Sequence, residues 1–208
     1  ASFTCAGVTA WRKGDEVYGF VGSDAAGPYA QYAIAEPANL ARKPPALSFE
    51  EAAGIPVAAL TAWKAMFDLG GLDPANARGR RVLVNGASGG VGLAAIQIAK
   101  SAGLHVTAVA SARNQALMHG YGADVTLDYR AQPLETAVKT PVDLAVDAVD
   151  LATAAASAQV VKPGGTLIAM NVTPKPPEVP ACTGRDGGLR CQQLPNFRPA
   201  AGTFQKVA

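Results

Sequence analysis

The run Val82-Leu83-Val84-Asn85-Gly86-Ala87-Ser88-Gly89-Gly90-Val91-Gly92 restricts the fold more than any other part of this chain. An apolar, β-branched stretch empties into a glycine-rich turn and then into the helical sequence from Gly92 to Ala102. Such a turn lets backbone N–H groups and a helix N-terminus approach an anion closely, as in a dinucleotide-binding βαβ unit. Gly89 and Gly92 occupy the second and third positions of G-x-G-x-x-G, with Ala87 in the first. A lone glycine turn is weak evidence, because the same letters serve any tight turn. They also fit G-x-x-x-G-x-G through Gly86, Gly90 and Gly92, the pattern of short-chain dehydrogenases, but no Tyr is followed four residues later by the Lys which that chemistry requires.

The surroundings of the turn give it weight. From Arg81 onward β-rich and helical stretches alternate: Arg81 to Asn85, Gly92 to Ala102, His105 to Ser111, Arg113 to Gly120 and Asp124 to Tyr129. The apolar run Asp143 to Val149, the Ala-rich helix Leu151 to Val161, a Lys-Pro-Gly-Gly turn at 162 to 165 and a strand Thr166 to Met170 follow. This predicts an α/β fold, a doubly wound parallel sheet of the Rossmann type with five strands. Upstream, Gly-Asp-Glu-Val-Tyr-Gly-Phe and Gly-Pro-Tyr-Ala-Gln-Tyr-Ala-Ile-Ala predict antiparallel strands of a partial β module. Ser48 and Glu51 form a capping-box signature, and Thr61 to Leu69 reads as a helix stopped by Gly70-Gly71. The predicted domains are 1–60, 61–172 and an irregular tail 173–208 that holds six of the fifteen prolines. There is no internal repeat.

A dinucleotide-binding unit that prefers NAD ends its second strand in an acid. Between Lys100 and Asp124 there is no Asp or Glu, and the strand runs instead into Ser111-Ala112-Arg113. A hydroxyl and a forked guanidinium suit a 2′-phosphate, so the expected cofactor is NADPH, although Arg113 also fits an ordinary solvated helix start.

Composition excludes several other classes. A net charge of +2 in 208 residues creates no field that would recruit nucleic acid or a membrane surface. Ala52 to Met66 is too short and is interrupted by Pro56 and Lys64. With 49% hydrophobic residues the chain can fill a core. No signal-peptide pattern opens the sequence, the starting Met is missing, and Cys5, Cys182 and Cys191 suit a reducing compartment better than a disulfide framework. The expected location is cytoplasmic.

These motifs, with Pro-Val-Ala-Ala-Leu-Thr-Ala-Trp, Gly-Ala-Asp-Val-Thr-Leu-Asp-Tyr and Lys-Pro-Gly-Gly-Thr-Leu-Ile, resemble in their order the quinone-oxidoreductase branch of the medium-chain dehydrogenases/reductases over about residues 4 to 172. In that branch Ala in the first glycine position is usual. The resemblance implies a GroES-like substrate domain beside the Rossmann domain, with NADPH in the cleft between them. Matched residue by residue, it implies that Ser88, Gly89, Gly90, Val91 and Gly92 line the pyrophosphate. By the same match Ser111, Arg113 and Tyr129 take the adenosine-phosphate end, and Thr61 and Asn171 the nicotinamide end. Its zinc-using members bind the metal through Cys and His; here Cys182, Cys191, His105 and His119 do not make such a set, so no metal is expected.

The implied chemistry is direct hydride transfer to an enone or a quinone, with no side chain assigned as catalytic. The alternatives are a non-catalytic, truncated NADP-binding or interaction protein, or a different reaction on the same scaffold. Thr4-Cys5-Ala6-Gly7-Val8 reads as the remnant of a preceding strand, and no sixth Rossmann strand is recognisable after Asn171. That leaves an exposed sheet edge for the tail, a twin subunit or another chain to cover.

Overall fold

The computed structural model describes residues 8–21, 29–170 and 189–194. Cys5, Cys182, Asn171 and nearly all of the stretch 4–8 lie outside them. Contacts divide the chain into two units, with the boundary between Leu60 and Thr61.

In the first unit β1 (Val17–Gly19) pairs antiparallel with β2 (Leu40–Arg42). Tyr18, Ala41, Ala52 and Leu60 form its small core. The first of the two expected runs supplies β1, but the second supplies no strand among its described residues. Tyr29, Tyr32 and Ile34 are 104%, 78% and 82% exposed, so the run has no buried face to hold it in a sheet. The capping box forms as read: Ser48 Oγ accepts from Glu51 N, Glu51 Oε2 accepts from Ser48 N, and α1 (Phe49–Ala53) begins there.

Helix α2 (Ile55–Trp63) continues into a wider π-type turn, Lys64–Leu69. It starts at Ile55 rather than Thr61 because Pro56 sits in the first turn, where its missing N–H costs nothing. Gly70 and Gly71 end it as expected, Gly71 with φ +72°.

The second unit is a parallel sheet wound on both faces. Its strands are β3 (Arg81–Asn85), β4 (His105–Ala110), β5 (Val125–Asp128), β6 (Val142–Asp147), β7 (Val161–Ala169) and β8 (Arg190–Gln193). They lie in the order β5-β4-β3-β6-β7-β8. Connecting them are α3 (Gly90–Ser101), α4 (Gln115–Gly120), α5 (Leu134–Ala137) and α6 (Leu151–Gln159). The central strands are buried on both faces, which is why they read as unbroken apolar runs. Val82 and Val84 of β3 pack with Ala95, Ile96 and Ala99 of α3, while Leu83 faces the opposite way, in a cluster with Ala154 and Ala158 of α6.

Three sequence expectations are corrected here. The sheet has six strands, because β8 arises from the stretch read as irregular and pairs in register from Thr166↔Arg190 to Ala169↔Gln193. The β7 edge is therefore covered by the chain itself. Leu189 and Cys191 pack on one face and Leu194 on the other, an alternation too short and too polar to stand out among glycines and prolines. Lys-Pro-Gly-Gly lies inside β7 rather than ahead of it, as an irregularity between the pairs Val142↔Val161 and Leu144↔Thr166, with Gly164 at φ +74°. Cys191 is disulfide-bonded, which corrects the expectation that the cysteines suit a reducing compartment better than a disulfide framework.

Candidate functional site

The carboxyl ends of β3, β4, β5 and β6 open into one cavity of about 730 Å³. A crevice beyond the strand ends, where the strand order reverses beside β3, is where doubly wound sheets bind ligands.

The glycine turn forms one wall. Gly86 adopts φ +75°, and Gly89 is the N-cap of α3 in extended conformation. A Cβ at Gly92 would lie 2.4 Å from Gly86 O and 2.5 Å from Ala87 Cα, so only glycine lets this helix seat against the turn. Gly89 and Gly90 differ. A Cβ at Gly90 would meet nothing within 4 Å, and one at Gly89 only Gly86 O at 3.4 Å. The protein's own sterics do not demand glycine at either position. The space is a cradle that side chains would fill, beside first-turn N–H groups that have no acceptor within the helix. A pyrophosphate fits that donor set.

At the end of β4, Ser111 caps a short 3-10 turn, Ala112–Asn114, that carries Arg113; Asn114 Nδ2 donates to Ser111 Oγ at 3.3 Å. Ser88, Ser111, Arg113 and Tyr129 all line the cavity. Gly89, Gly90, Val91 and Gly92 are not in the lining; they follow Ser88 in the chain as the cap and first turn of α3. Thr61 is buried in α2 and is absent from the lining, and Asn171 is outside the described residues. Among the described residues Arg113 is the one cation of the lining, which also includes the carboxylates of Asp128, Glu135 and Asp150. Asp128 Oδ1 accepts from Arg130 N, and Asp150 caps α6 by accepting from Thr153 N.

Sequence reasoning missed the opposite wall. Leu134, Glu135 and Ala137 of α5, with Val149, Asp150 and Thr153 at the start of α6, complete the cavity. It also missed Asp147, which is fully buried at the end of β6. A carboxylate closing an apolar strand beside Asn85, itself a polar residue just before Gly86, was the available signal.

Among the described residues no group of three or more His, Cys, Asp or Glu is arranged to hold a metal, and no helix is long and apolar enough to cross a membrane.

A parallel sheet with a glycine turn, an open helix N-terminus and this crevice is a Rossmann domain. Comparison with known proteins agrees. A family described as "Zinc-binding dehydrogenase" matches residues 90–185. The human mitochondrial NAD(P)H oxidoreductase RTN4IP1 is 39% identical over 139 residues, covering 66% of this chain and 35% of that protein. The chloroplastic quinone-oxidoreductase QR1 of Triphysaria versicolor is 37% identical over 140 residues, covering 67% and 42%. The quinone oxidoreductase of Coxiella burnetii superposes with a TM-score of 0.80 at 29% identity, over 97% of this chain and 62% of that one.

The chain carries a domain of the medium-chain dehydrogenase/reductase family, and its relatives are quinone and NAD(P)H oxidoreductases. It spans well under two thirds of the curated relatives it matches. The cytoplasmic expectation is overturned, because these relatives are named as mitochondrial or chloroplastic. Few cysteines and a low net charge do not separate a cytosolic protein from an organellar one.

Proposed function

We propose that the chain binds NADPH in the cavity at the strand ends and serves the reduction of a quinone or of an enone C=C. One observation carries the reading: a single cavity brings Gly86 and Ser88 of the glycine turn together with Ser111 and Arg113, and α3 begins at Gly90, two residues after Ser88. The first-turn N–H groups of α3 would hold the pyrophosphate. Ser111 and Arg113 would hold a 2′-phosphate, and the absence of an acid at the end of β4 favours NADPH over NADH. Tyr129, 56% exposed, supplies a broad face at the same end. On the family pattern Thr61 and Asn171 belong to the nicotinamide end.

NADPH, when bound, would supply a hydride for the β-carbon of the enone, and with one proton taken up at the α-carbon, from solvent or from a side chain, the reaction balances to the saturated ketone and NADP⁺. The protein's part is alignment and exclusion of bulk water. The first unit is read as part of a GroES-like substrate domain, and the names of the relatives favour an organelle as the protein's location.

The test is nicotinamide oxidation followed by absorbance with a simple quinone and a simple enone. Turnover that depends on either acceptor supports the proposal. NADPH binding with no turnover on either limits the chain to cofactor binding.

A further inference from the structure

Asp147 is fully buried, lies outside the cavity lining and accepts its side-chain hydrogen bonds from neutral donors. Four donors hold it. Asn85 Nδ2 donates to Oδ2 at 2.9 Å and Ser157 Oγ to Oδ2 at 2.7 Å. Val149 N donates to Oδ1 at 3.1 Å and Thr153 Oγ1 to Oδ1 at 2.9 Å. Three of these donors, Asn85, Val149 and Thr153, belong to residues that line the cavity, whereas Ser157 lies behind it.

The network reaches both walls. Asn85 Oδ1 accepts from Gly86 N at 3.0 Å, which ties the first residue of the glycine turn to the carboxylate. Thr153 Oγ1 accepts from Asp150 N at 3.2 Å, which ties the cap of α6 to it. The walls also meet sterically, since a Cβ at Gly86 would come 3.0 Å from Val149 Cγ2. We infer that Asp147 is a positioning residue for the nucleotide: it never touches the ligand, but it fixes the glycine turn against the start of α6 and so sets the groove between them. This rests on the cavity being the nucleotide site.

The donor pattern explains why only a carboxylate serves. Asn85 Nδ2 and Val149 N are fixed donors on different oxygens of Asp147, because the Asn85 carbonyl is already committed to Gly86 N. In Asp147→Asn one oxygen becomes an NH₂. If it replaces Oδ1 it meets Val149 N–H. If it replaces Oδ2, it meets the Asn85 amide, and flipping that amide turns its own NH₂ toward Gly86 N–H. Either way a donor faces a donor at a groove wall, and such a mismatch must be relieved by movement. Ser157→Ala removes one bond to the same carboxylate on the side away from the groove.

The experiment measures NADPH affinity by nicotinamide fluorescence for the full chain and both variants, at a temperature where circular dichroism shows each folded. The expected result is a Kd raised roughly tenfold or more for Asp147→Asn but changed by less than about twofold for Ser157→Ala, while both unfold at lower temperature. Equal Kd changes in the two variants, or an unchanged Kd in Asp147→Asn, would overturn the inference and leave Asp147 a purely structural residue. Should Asp147→Asn fail to fold, Thr153→Val takes its place against Ser157→Ala. The groove-side variant must weaken NADPH and the rear one must not, and the reverse or equality overturns the inference. An unmutated chain that binds no nicotinamide nucleotide refutes the nucleotide reading itself, a failure distinct from the others.

Discussion

Gly90 and Gly92 lie two residues apart in the first turn of α3 and are expected to respond to alanine in opposite ways. In Gly92→Ala the new methyl starts 2.4 Å from Gly86 O, 2.5 Å from Ala87 Cα and 2.7 Å from Ala87 C. All three are backbone atoms, so no side chain can rotate away. Their segment is further held by Ala87 N donating to Val109 O at 3.0 Å and Gly86 N donating to Asn85 Oδ1 at 3.0 Å. Reaching ordinary contact near 3.4 Å requires the helix or the turn to move by about 1 Å. Overpacking of this kind costs about 1–3 kcal/mol. In a domain of this size each kcal/mol is worth about 2–4 °C, so the melting temperature should fall by about 2–12 °C.

Gly90→Ala meets nothing within 4 Å, and its residue is already helical. Removing a glycine there stabilises by about 0.4–1 kcal/mol through the unfolded chain, or about 1–4 °C. Its methyl, however, fills the cradle assigned to the pyrophosphate, so NADPH affinity should drop about tenfold or more, some 1.4 kcal/mol. Thermal unfolding without nucleotide, paired with an NADPH titration, reads both effects. A Gly92→Ala protein as stable as the parent would refute the packing argument. A Gly90→Ala protein that binds NADPH as the parent does would show that the open space is not the nucleotide's.

Three further outcomes are expected. Burial pushes the carboxyls of Asp124 and Asp143 up, but Lys100 and the Val106 N–H at the first, and Lys162, the Arg81 N–H and Arg80 at the second, outweigh it and leave both below the ordinary 3.8. A depressed carboxyl contributes stability that is complete above its unfolded pKa and lost as pH falls through its folded one. Urea midpoints should therefore hold from neutrality to about pH 5 and fall below about pH 4, and Asp143→Asn should lower the plateau and flatten the acid limb; an unchanged acid limb in that variant contradicts the assignment. Arg113→Ala should weaken NADPH by about tenfold while leaving NADH nearly unchanged, checked by parallel titrations; equal losses would remove the 2′-phosphate role. Ser48→Ala should lower stability by about 1 kcal/mol through loss of the α1 cap, measured by chemical unfolding, and no loss would mean that the cap is idle.

The Rossmann unit was legible because its central strands are buried on both faces. Val82 to Asn85 and Leu144 to Asp147 read as apolar runs, and glycine is confined where backbone meets backbone, as at Gly92. Strand β8 was not legible, since an edge strand of four residues needs few apolar side chains and carries Arg190, Gln192 and Gln193. The tyrosines after Pro28 misled for the opposite reason: aromatic residues favour strands only when a sheet face is there to cover them. At the site, the glycine turn and Ser111-Arg113 could be found from spacing. The Asp147 network was legible only in part: a carboxylate closing an apolar strand is visible in the sequence, but its pairing with Asn85, 62 positions away, is not.

The central claim is that the cavity beyond β3 and β4 is an NADPH site. The most direct measurement is a titration of the unmutated chain with NADPH and NADH in parallel, followed by nicotinamide fluorescence. Saturable binding of both nucleotides is expected, with NADPH clearly tighter. Binding of neither would contradict it, and tighter binding of NADH would contradict the role given to Ser111 and Arg113.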